Sequence, residues 1–282
     1  MHMPIKSRFT PAFGFRKTHA INKLLDEMAN YFIRGNPALR EKLGYERVRL
    51  NLAGGEPMLL GSTFKYILQT AKKKGFRTSI ITNGSYLLNG AVLIPKDSLD
   101  MIGISFDSQN FKVRKKIGRI DRKGNSLGTV QLKQVLKELR QSQYGLQTKI
   151  NTVVNALNWQ EDFSALIDEL KPDKWKLLQV LPYGNDELLI SKHQFQKFIE
   201  RHSRKSLPIS PESNDAMTES YLMIDPRGRF YQNRKGKAGY AYSDIVTDVG
   251  IAEALNQISF NTEVFKSRYA RRSNLIEINE VA

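Results

Sequence analysis

"VRLNLAGGEPML", residues 48–59, reads as a buried strand that runs into two glycines, a glutamate and a proline. Its apolar residues and short length are those of a strand. Gly54 and Gly55 leave backbone N–H and C=O groups able to approach a ligand, while Pro57 restrains the turn that follows. By pattern alone the same glycine pair is more readily a plain tight turn. What surrounds the stretch therefore has to decide what its bare backbone serves.

Strand-type runs recur on either side, at "IKSRFT" (5–10), "RVRLNLA" (47–53), "FRTSIIT" (76–82), "LDMIGIS" (99–105), "LQTKINTVV" (146–154) and "DKWKLLQVL" (173–181). Between them, residues 20–33, 63–75, 126–141 and 159–171 carry apolar side chains three or four apart, the spacing of amphipathic helices. Ser126 is placed to cap the third of these helices and Gly75 to stop the second. Strand and helix in repeated alternation predict an α/β fold with a parallel sheet and right-handed crossovers. Six such strands make a partial (β/α)6 barrel of the TIM type over residues 1–190. Residues 191–282 then form a C-terminal extension packed on that barrel within one folding unit: a helix over 192–205 and a β-hairpin over 221–233, turned by Pro226-Arg227-Gly228.

Composition bounds the chemistry. The 282 residues include 44 Lys+Arg against 28 Asp+Glu, a formal charge of +16 that favours polyanionic partners: a nucleotide, a nucleic acid or an acidic protein. No apolar run is long enough to cross a bilayer and no export-type leader is visible, so a cytoplasmic protein is expected. The chain has no cysteine, which excludes disulfides, thiolate nucleophiles and zinc–thiolate sites. His2, His19, His193 and His202 are scattered, and no metal site is predicted.

In parallel α/β folds the polar work is done in loops leaving the C-terminal ends of strands. Those loops hold Gly54, Gly55 and Glu56, Asn83 of "TNGS", and Ser105 and Asp107 of "SFDS"; Lys149, Asn151, Lys176 and Gln179 lie on or beyond the last two strands. Glu56 can accept from an ammonium and Asp107 from ribose hydroxyls. Each has a plain structural reading as well: Asn83-Gly84 as a common turn, Asp107 as the cap of "NFKVRKKI", and the lysines as solvent-seeking strand residues.

The segments "NLAGGEPML", "TSIITNGS", "IGISFDS", "KIGR", "TKINTVVNALNWQEDF", "WKLLQVL", "SPESNDAMTESYLMID", "RFYQNRKG" and "DVGIAEAL" occur in this order. Together they resemble the viperin-like family of radical S-adenosylmethionine enzymes over nearly the whole chain. The resemblance implies a partial (β/α)6 radical-SAM core. It also implies a chemistry in which cluster-bound S-adenosylmethionine yields a deoxyadenosyl radical that acts on CTP. By the same resemblance, Gly54, Gly55 and Glu56 grip the methionine amino group of S-adenosylmethionine. Asn83, Ser105 and Asp107 line its methionine and ribose, and Arg119 meets its carboxylate. Lys149, Asn151 and Lys176 lie near the nucleotide, Arg234 and Lys235 contact its triphosphate, and Tyr221 matches a tyrosine that returns hydrogen to the substrate if chemistry is retained.

The family's CxxxCxxC, which holds a [4Fe–4S] cluster, is absent. With Gly14-Phe15 in register, Phe9, Phe13 and Arg16 stand at the three cysteine positions, and two aromatics and a cation cannot replace thiolates. No iron–sulfur cluster and no radical chemistry are expected. The expectation is a cluster-less, viperin-like binder of a nucleotide triphosphate, compatible with S-adenosylmethionine, that acts as a sensor or a non-catalytic protein partner in an antiviral-type defence complex. Two alternatives stand beside it. One is a nucleic-acid-binding protein, motivated by the basic runs at 112–124 and 268–272. The other is a non-radical nucleotide-modifying enzyme using Glu56 or Asp107 as a base.

Overall fold

The computed structural model describes residues 18–88, 94–121, 124–143, 145–182, 186–204, 209–234, 239–269 and 275–281, with side chains up to residue 267. The strand expected at 5–10 and the loop carrying Phe9, Phe13 and Arg16 lie outside them. Helices and strands alternate in the order expected: α1 (Thr18–Met28), α2 (Pro37–Leu43), β1 (Arg47–Ala53), α3 (Ser62–Lys73), β2 (Arg77–Thr82), β3 (Met101–Ser105), α4 (Phe111–Lys116), α5 (Thr129–Ser142), β4 (Gln147–Val154), α6 (Ser164–Leu170), β5 (Lys174–Gln179), α7 (Lys192–His202) and β6 (Ile209–Glu212). The fold is α/β, and its six parallel strands β1 to β6 are those of the partial (β/α)6 class. The sixth of them is residues 209–212, a strand the sequence reading passed over.

The chain forms two compact units, passing from one to the other within β2, between Ile80 and Ile81. Among the described residues the first unit holds 81–88 and 100–215, with parallel strands in the order β6-β5-β4-β3. Alternation sorts its side chains. Ile102, Ile104, Ile150, Val154, Trp175 and Leu177 are buried on one face. An aromatic cluster anchors that face: Phe163 lies 5.8 Å from Trp175 and 6.0 Å from Phe198, and the His202 ring is 5.0 Å from Trp175. Inside the cluster, Trp175 Nε1 donates to Thr152 Oγ1 at 3.0 Å, and that hydroxyl donates to the Phe106 carbonyl at 2.8 Å. The sheet's apolar layer thus leaves no indole N–H unsatisfied.

His202 is fully buried, and its partners fix its tautomer. Phe163 N–H donates to Nε2 at 3.0 Å, so the proton sits on Nδ1 and is donated to Phe198 O at 2.7 Å. Burial lowers its pKa from 6.5, against the pull of the Phe198 carbonyl and Asp162. Below about pH 6.5 the unfolded chain therefore takes up a proton that the folded chain refuses, and stability falls as pH drops from there toward the folded pKa. Thermal melts of the wild type should move down through this window, whereas His202→Gln should flatten the dependence. Parallel slopes for the two proteins would rule the mechanism out.

The second unit holds 18–80, 94–99 and 216–281, with strands in the order β2-β1-β10-β7-β8-β9. After α8 (Asn214–Met217) come β7 (Leu222–Ile224), β8 (Arg229–Asn233), β9 (Tyr240–Ile245), α9 (Val246–Val249), α10 (Ile251–Asn256), α11 (Thr262–Tyr269) and β10 (Leu275–Val281). Strand β10 pairs in parallel with both β1 and β7, and β7-β8-β9 are antiparallel. The hairpin expected at 221–233 is β7–β8. Asp225 holds its turn, accepting from Arg227 N at 2.9 Å and from Arg229 N at 3.0 Å, and Gly228 takes φ 80°.

Helix ends follow local chemistry. Gly75, with φ 94°, stops α3 as expected. Helix α5 begins instead at Thr129 behind Gly128, because the Ser126 hydroxyl is taken by Arg114 Nε at 2.9 Å. Helix α6 begins at Ser164 rather than near 159, because Asn155 and Asn158 fold the preceding residues into a closed loop: Asn158 Oδ1 accepts from Asn155 N at 2.7 Å.

Candidate functional site

In the second unit, Gly54 and Gly55 take φ 90° and 52°, a left-handed pair that no residue with a Cβ adopts comfortably. They turn the chain out of β1 into a single 3-10 turn, Pro57–Leu60. Glu56 is buried at its head and accepts from Met58 N at 3.2 Å, so part of its carboxylate serves as a cap. The opening stretch thus stops for conformational reasons that glycine satisfies with least strain. Tyr221 is half-buried just before β7, and its carbonyl accepts from the Gln232 amide. Arg234 is exposed at the end of β8 and its guanidinium has no partner among the described residues. Lys235 lies outside them.

The first unit carries the larger share of the predicted residues on the C-terminal ends of its strands. Asn83 forms a turn, its Oδ1 accepting from Ser85 N at 2.8 Å, while Gly84 takes φ 80°. Asp107 and Arg119 are brought together directly: Arg119 Nε donates to Asp107 Oδ2. Asp107 Oδ1 accepts from Val153 N at 2.7 Å, so both carboxylate oxygens are engaged and the residue is buried. Asn110, not Asp107, caps α4, accepting from Lys112 N at 2.8 Å. Asp107 therefore acts on any ligand by holding Arg119, which stays partly exposed.

Asn158 and Glu161 complete this corner, and the sequence reading did not single them out. Asn158 Nδ2 donates to the Asp107 carbonyl at 2.6 Å, and Glu161 Oε2 accepts from Gln109 N at 3.0 Å. The signal lay in the run "NALNWQEDF", where two asparagines three apart favour a side-chain-closed loop over a helix. The basic run that follows Asp107 divides. Lys112, Lys115 and Lys116 are exposed on α4, whereas Arg114 is buried with its guanidinium donating to the Ser108 and Gln109 carbonyls.

On the face of the sheet opposite Trp175, register places Gly103 beside Lys149, Ser105 beside Asn151, and Asn151 beside Lys176. Gly103 is there by necessity of space: a Cβ would lie 2.9 Å from Lys149 Cε and 2.5 Å from Ile81 Cδ1. Lys149 and Asn151 are both buried, and Asn151 Oδ1 is a buried acceptor with no hydrogen-bond partner among the described residues. Such an orphan costs about 1–3 kcal/mol if nothing ever fills it. Lys176 Nζ pairs with Glu212 Oε1 at 2.9 Å, with side-chain exposures of only 13% and 10%. Gln179, grouped with these residues on sequence grounds, points the other way. It sits on the Trp175 and Leu177 side, where its Oε1 accepts from Asn214 N at 3.2 Å.

The donor set for metals is poor. Among the described residues no group of three or more His, Asp or Glu side chains could hold an ion, and the chain has no cysteine to ligate iron. These residues do not fit an iron–sulfur cluster. They do suit an anion with hydrogen-bond donors of its own, given a buried Lys149, a half-buried Lys176 paired with Glu212, and a buried amide acceptor on one face. No helix is long and apolar enough to cross a membrane among the described residues.

No protein-family model matches the chain. A protein of Pseudoalteromonas ulvae named as an S-adenosylmethionine-dependent nucleotide dehydratase is 45% identical over 251 residues, 88% of this chain and 80% of that one. A protein of the same name from Psychrobacter lutiphocae is 38% identical over 257 residues, 90% of this chain and 84% of that one. The S-adenosylmethionine-dependent nucleotide dehydratase RSAD2 of Oncorhynchus mykiss is 33% identical over 252 residues, 83% of this chain and 69% of that one. Among solved structures, Streptococcus suis SuiB bound to S-adenosylmethionine aligns with a TM-score of 0.48 and 14% identity over 76% of this chain and about half, 52%, of that one.

Proposed function

Because this chain belongs to the family of S-adenosylmethionine-dependent nucleotide dehydratases, we propose that it binds a nucleoside triphosphate of the CTP type together with S-adenosylmethionine or a related adenosyl compound. It does so as a cluster-less member, a sensor or a non-catalytic partner in an antiviral-type defence complex. The observation that carries this reading is the orphaned Asn151 Oδ1, buried beside Lys149, whose side chain packs over Gly103. A buried amide acceptor with no protein partner is suited to an N–H or O–H of a base or ribose, and ammonium groups near it are suited to phosphate oxygens.

S-adenosylmethionine, when bound, supplies an adenosyl group on a cationic sulfonium. Arg119, aimed by Asp107, has free guanidinium N–H groups for its carboxylate, and Asn83 and Ser105 stand at strand ends in the same unit. The roles of Gly54, Gly55, Glu56, Tyr221, Arg234 and Lys235 rest on the family resemblance.

Titration calorimetry with CTP, UTP, ATP and GTP tests the reading. At least one should bind with a Kd below about 1 mM, roughly −4 kcal/mol. The Arg234→Ala, Lys235→Ala pair should weaken triphosphate by about tenfold or more while leaving the nucleoside nearly unchanged. Flat titrations with all four nucleotides, or equal losses for nucleotide and nucleoside, would discard the proposal.

A further inference from the structure

The first unit's phosphate-facing charge is not free. Of the cations gathered there, Arg119 is held by Asp107 and Lys176 by Glu212, so the positive face read from the sequence is largely neutralised from within. The two carboxylates differ in what they do. Asp107 has a second task, closing the Val153 backbone N–H. Glu212 lies on the last strand of the unit, and register sets Ser210 beside Lys176 and Glu212 beside Leu178. Glu212 is thus two residues nearer the C-terminal strand ends than the neighbour of the lysine it pairs with. The Lys176 ammonium, 2.9 Å from Glu212 Oε1, therefore reaches toward those ends to meet the carboxylate.

Resting on the nucleotide-binding reading above, we infer that Glu212 is a resident counter-ion for Lys176 that sets which anions the face accepts: a ligand must carry enough negative charge to take Lys176 from it. The physics is a competition. A buried pair cancels most of the field its lysine would otherwise project, and taking away one partner of such a pair has a large effect because the other charge is left without compensation. A monoanion gains little by replacing a carboxylate already in place. A triphosphate brings several charges to one point and can outcompete it. Glu212 in this role is a specificity-determining and positioning residue, not a catalytic one.

The test is a charge ladder, measured by calorimetry with cytidine, CMP, CDP, CTP and inorganic tripolyphosphate. Glu212→Gln keeps the side chain's size and an oxygen for the Lys176 ammonium while removing the charge. Its affinity for CTP and tripolyphosphate should rise about tenfold, with a smaller gain for CMP and a change within about twofold for cytidine. Glu212→Asp, which keeps the charge, should stay within about threefold of wild type for every ligand. A gain that is the same for cytidine and CTP, or no gain at all, overturns the inference.

Should Glu212→Gln fail to fold, the Lys176→Gln, Glu212→Gln double variant asks the same question with a neutral pair in place of the buried ions. Because a triphosphate takes Lys176 from Glu212 in the wild type, the double variant should bind tripolyphosphate about tenfold more weakly than the wild type while its affinity for CMP stays within about threefold. Equal affinity of the two proteins for tripolyphosphate, or equal losses for CMP and tripolyphosphate, would mean that Lys176 is not released to phosphate and overturns the inference. Wild-type binding of CTP that Glu212→Gln leaves unaltered defeats this inference alone. Absence of binding by every protein in the series defeats the nucleotide reading with it.

Discussion

Trp175→Ala is expected to destabilise the first unit by about 3–5 kcal/mol, the usual cost of emptying a large aromatic from a core. Trp175 is fully buried, and its removal strips three ring neighbours at once: Phe163 at 5.8 Å, Phe198 at 6.1 Å and His202 at 5.0 Å. These neighbours come from the α6 entry and from α7, so the cavity would open between sheet and helices, where neither can collapse without moving the other. The Thr152 hydroxyl also loses the N–H it accepts, although its own bond to Phe106 O remains. Against a typical domain stability of about 5–15 kcal/mol this is a large fraction, and the first unit's melting temperature should fall on the order of 10 °C. Trp175→Phe, which keeps the ring contacts and gives up the indole N–H, should cost markedly less. Melts of the two variants within about 1 kcal/mol of each other would show that the cluster does not organise this face.

That cluster shows what was readable in advance. The strands at 47–53, 76–82, 99–105, 146–154 and 173–181 were placed to within about two residues, because continuous branched and aromatic runs between glycines and polar loops have no other good structure. Alternation along β4 puts Lys149 and Asn151 on one face, and the pairing register adds Lys176 to it. The misses share a cause. Residues 209–212 contain Pro211, which argues against a strand unless it lies at an edge, and only the assembled sheet supplies that edge. Strand β10 exists by pairing with β1, more than 200 residues away in sequence. The sequence places Ser126 as a cap, and nothing in it shows that Arg114, twelve residues earlier, claims the hydroxyl.

The site divides along the same line. Which side chains sit on the polar face follows from strand period, but which charges cancel does not. Asp107 and Arg119 read as two independent ligand contacts and are in fact bonded to each other; Lys176 read as a free cation and is paired. Glu212 sat in view within "SPES" and had no local signal beyond its charge. A buried lysine requires a counter-charge, so its existence could have been demanded from the sequence although its identity could not.

Anaerobic incubation of the protein with iron, sulfide, S-adenosylmethionine, CTP and a strong reductant is expected to give no 5′-deoxyadenosine above a protein-free control. The family's [4Fe–4S] cluster would supply the electron for reductive cleavage of the sulfonium. Holding that cluster needs thiolates, and the chain has no cysteine anywhere in its 282 residues. Carboxylates and imidazoles are no substitute here, since the described residues bring no three of them together. Iron bound after desalting should accordingly be far below one cluster per chain. The decisive comparison restores the missing sulfur: Phe9→Cys, Phe13→Cys and Arg16→Cys in one protein should raise bound iron well above wild type, because the family's ligand spacing is then complete. Stoichiometric iron or product formation in the unaltered protein would show that ligation has been solved without sulfur from this chain. The nucleotide face would then have to be read as the substrate pocket of a working enzyme.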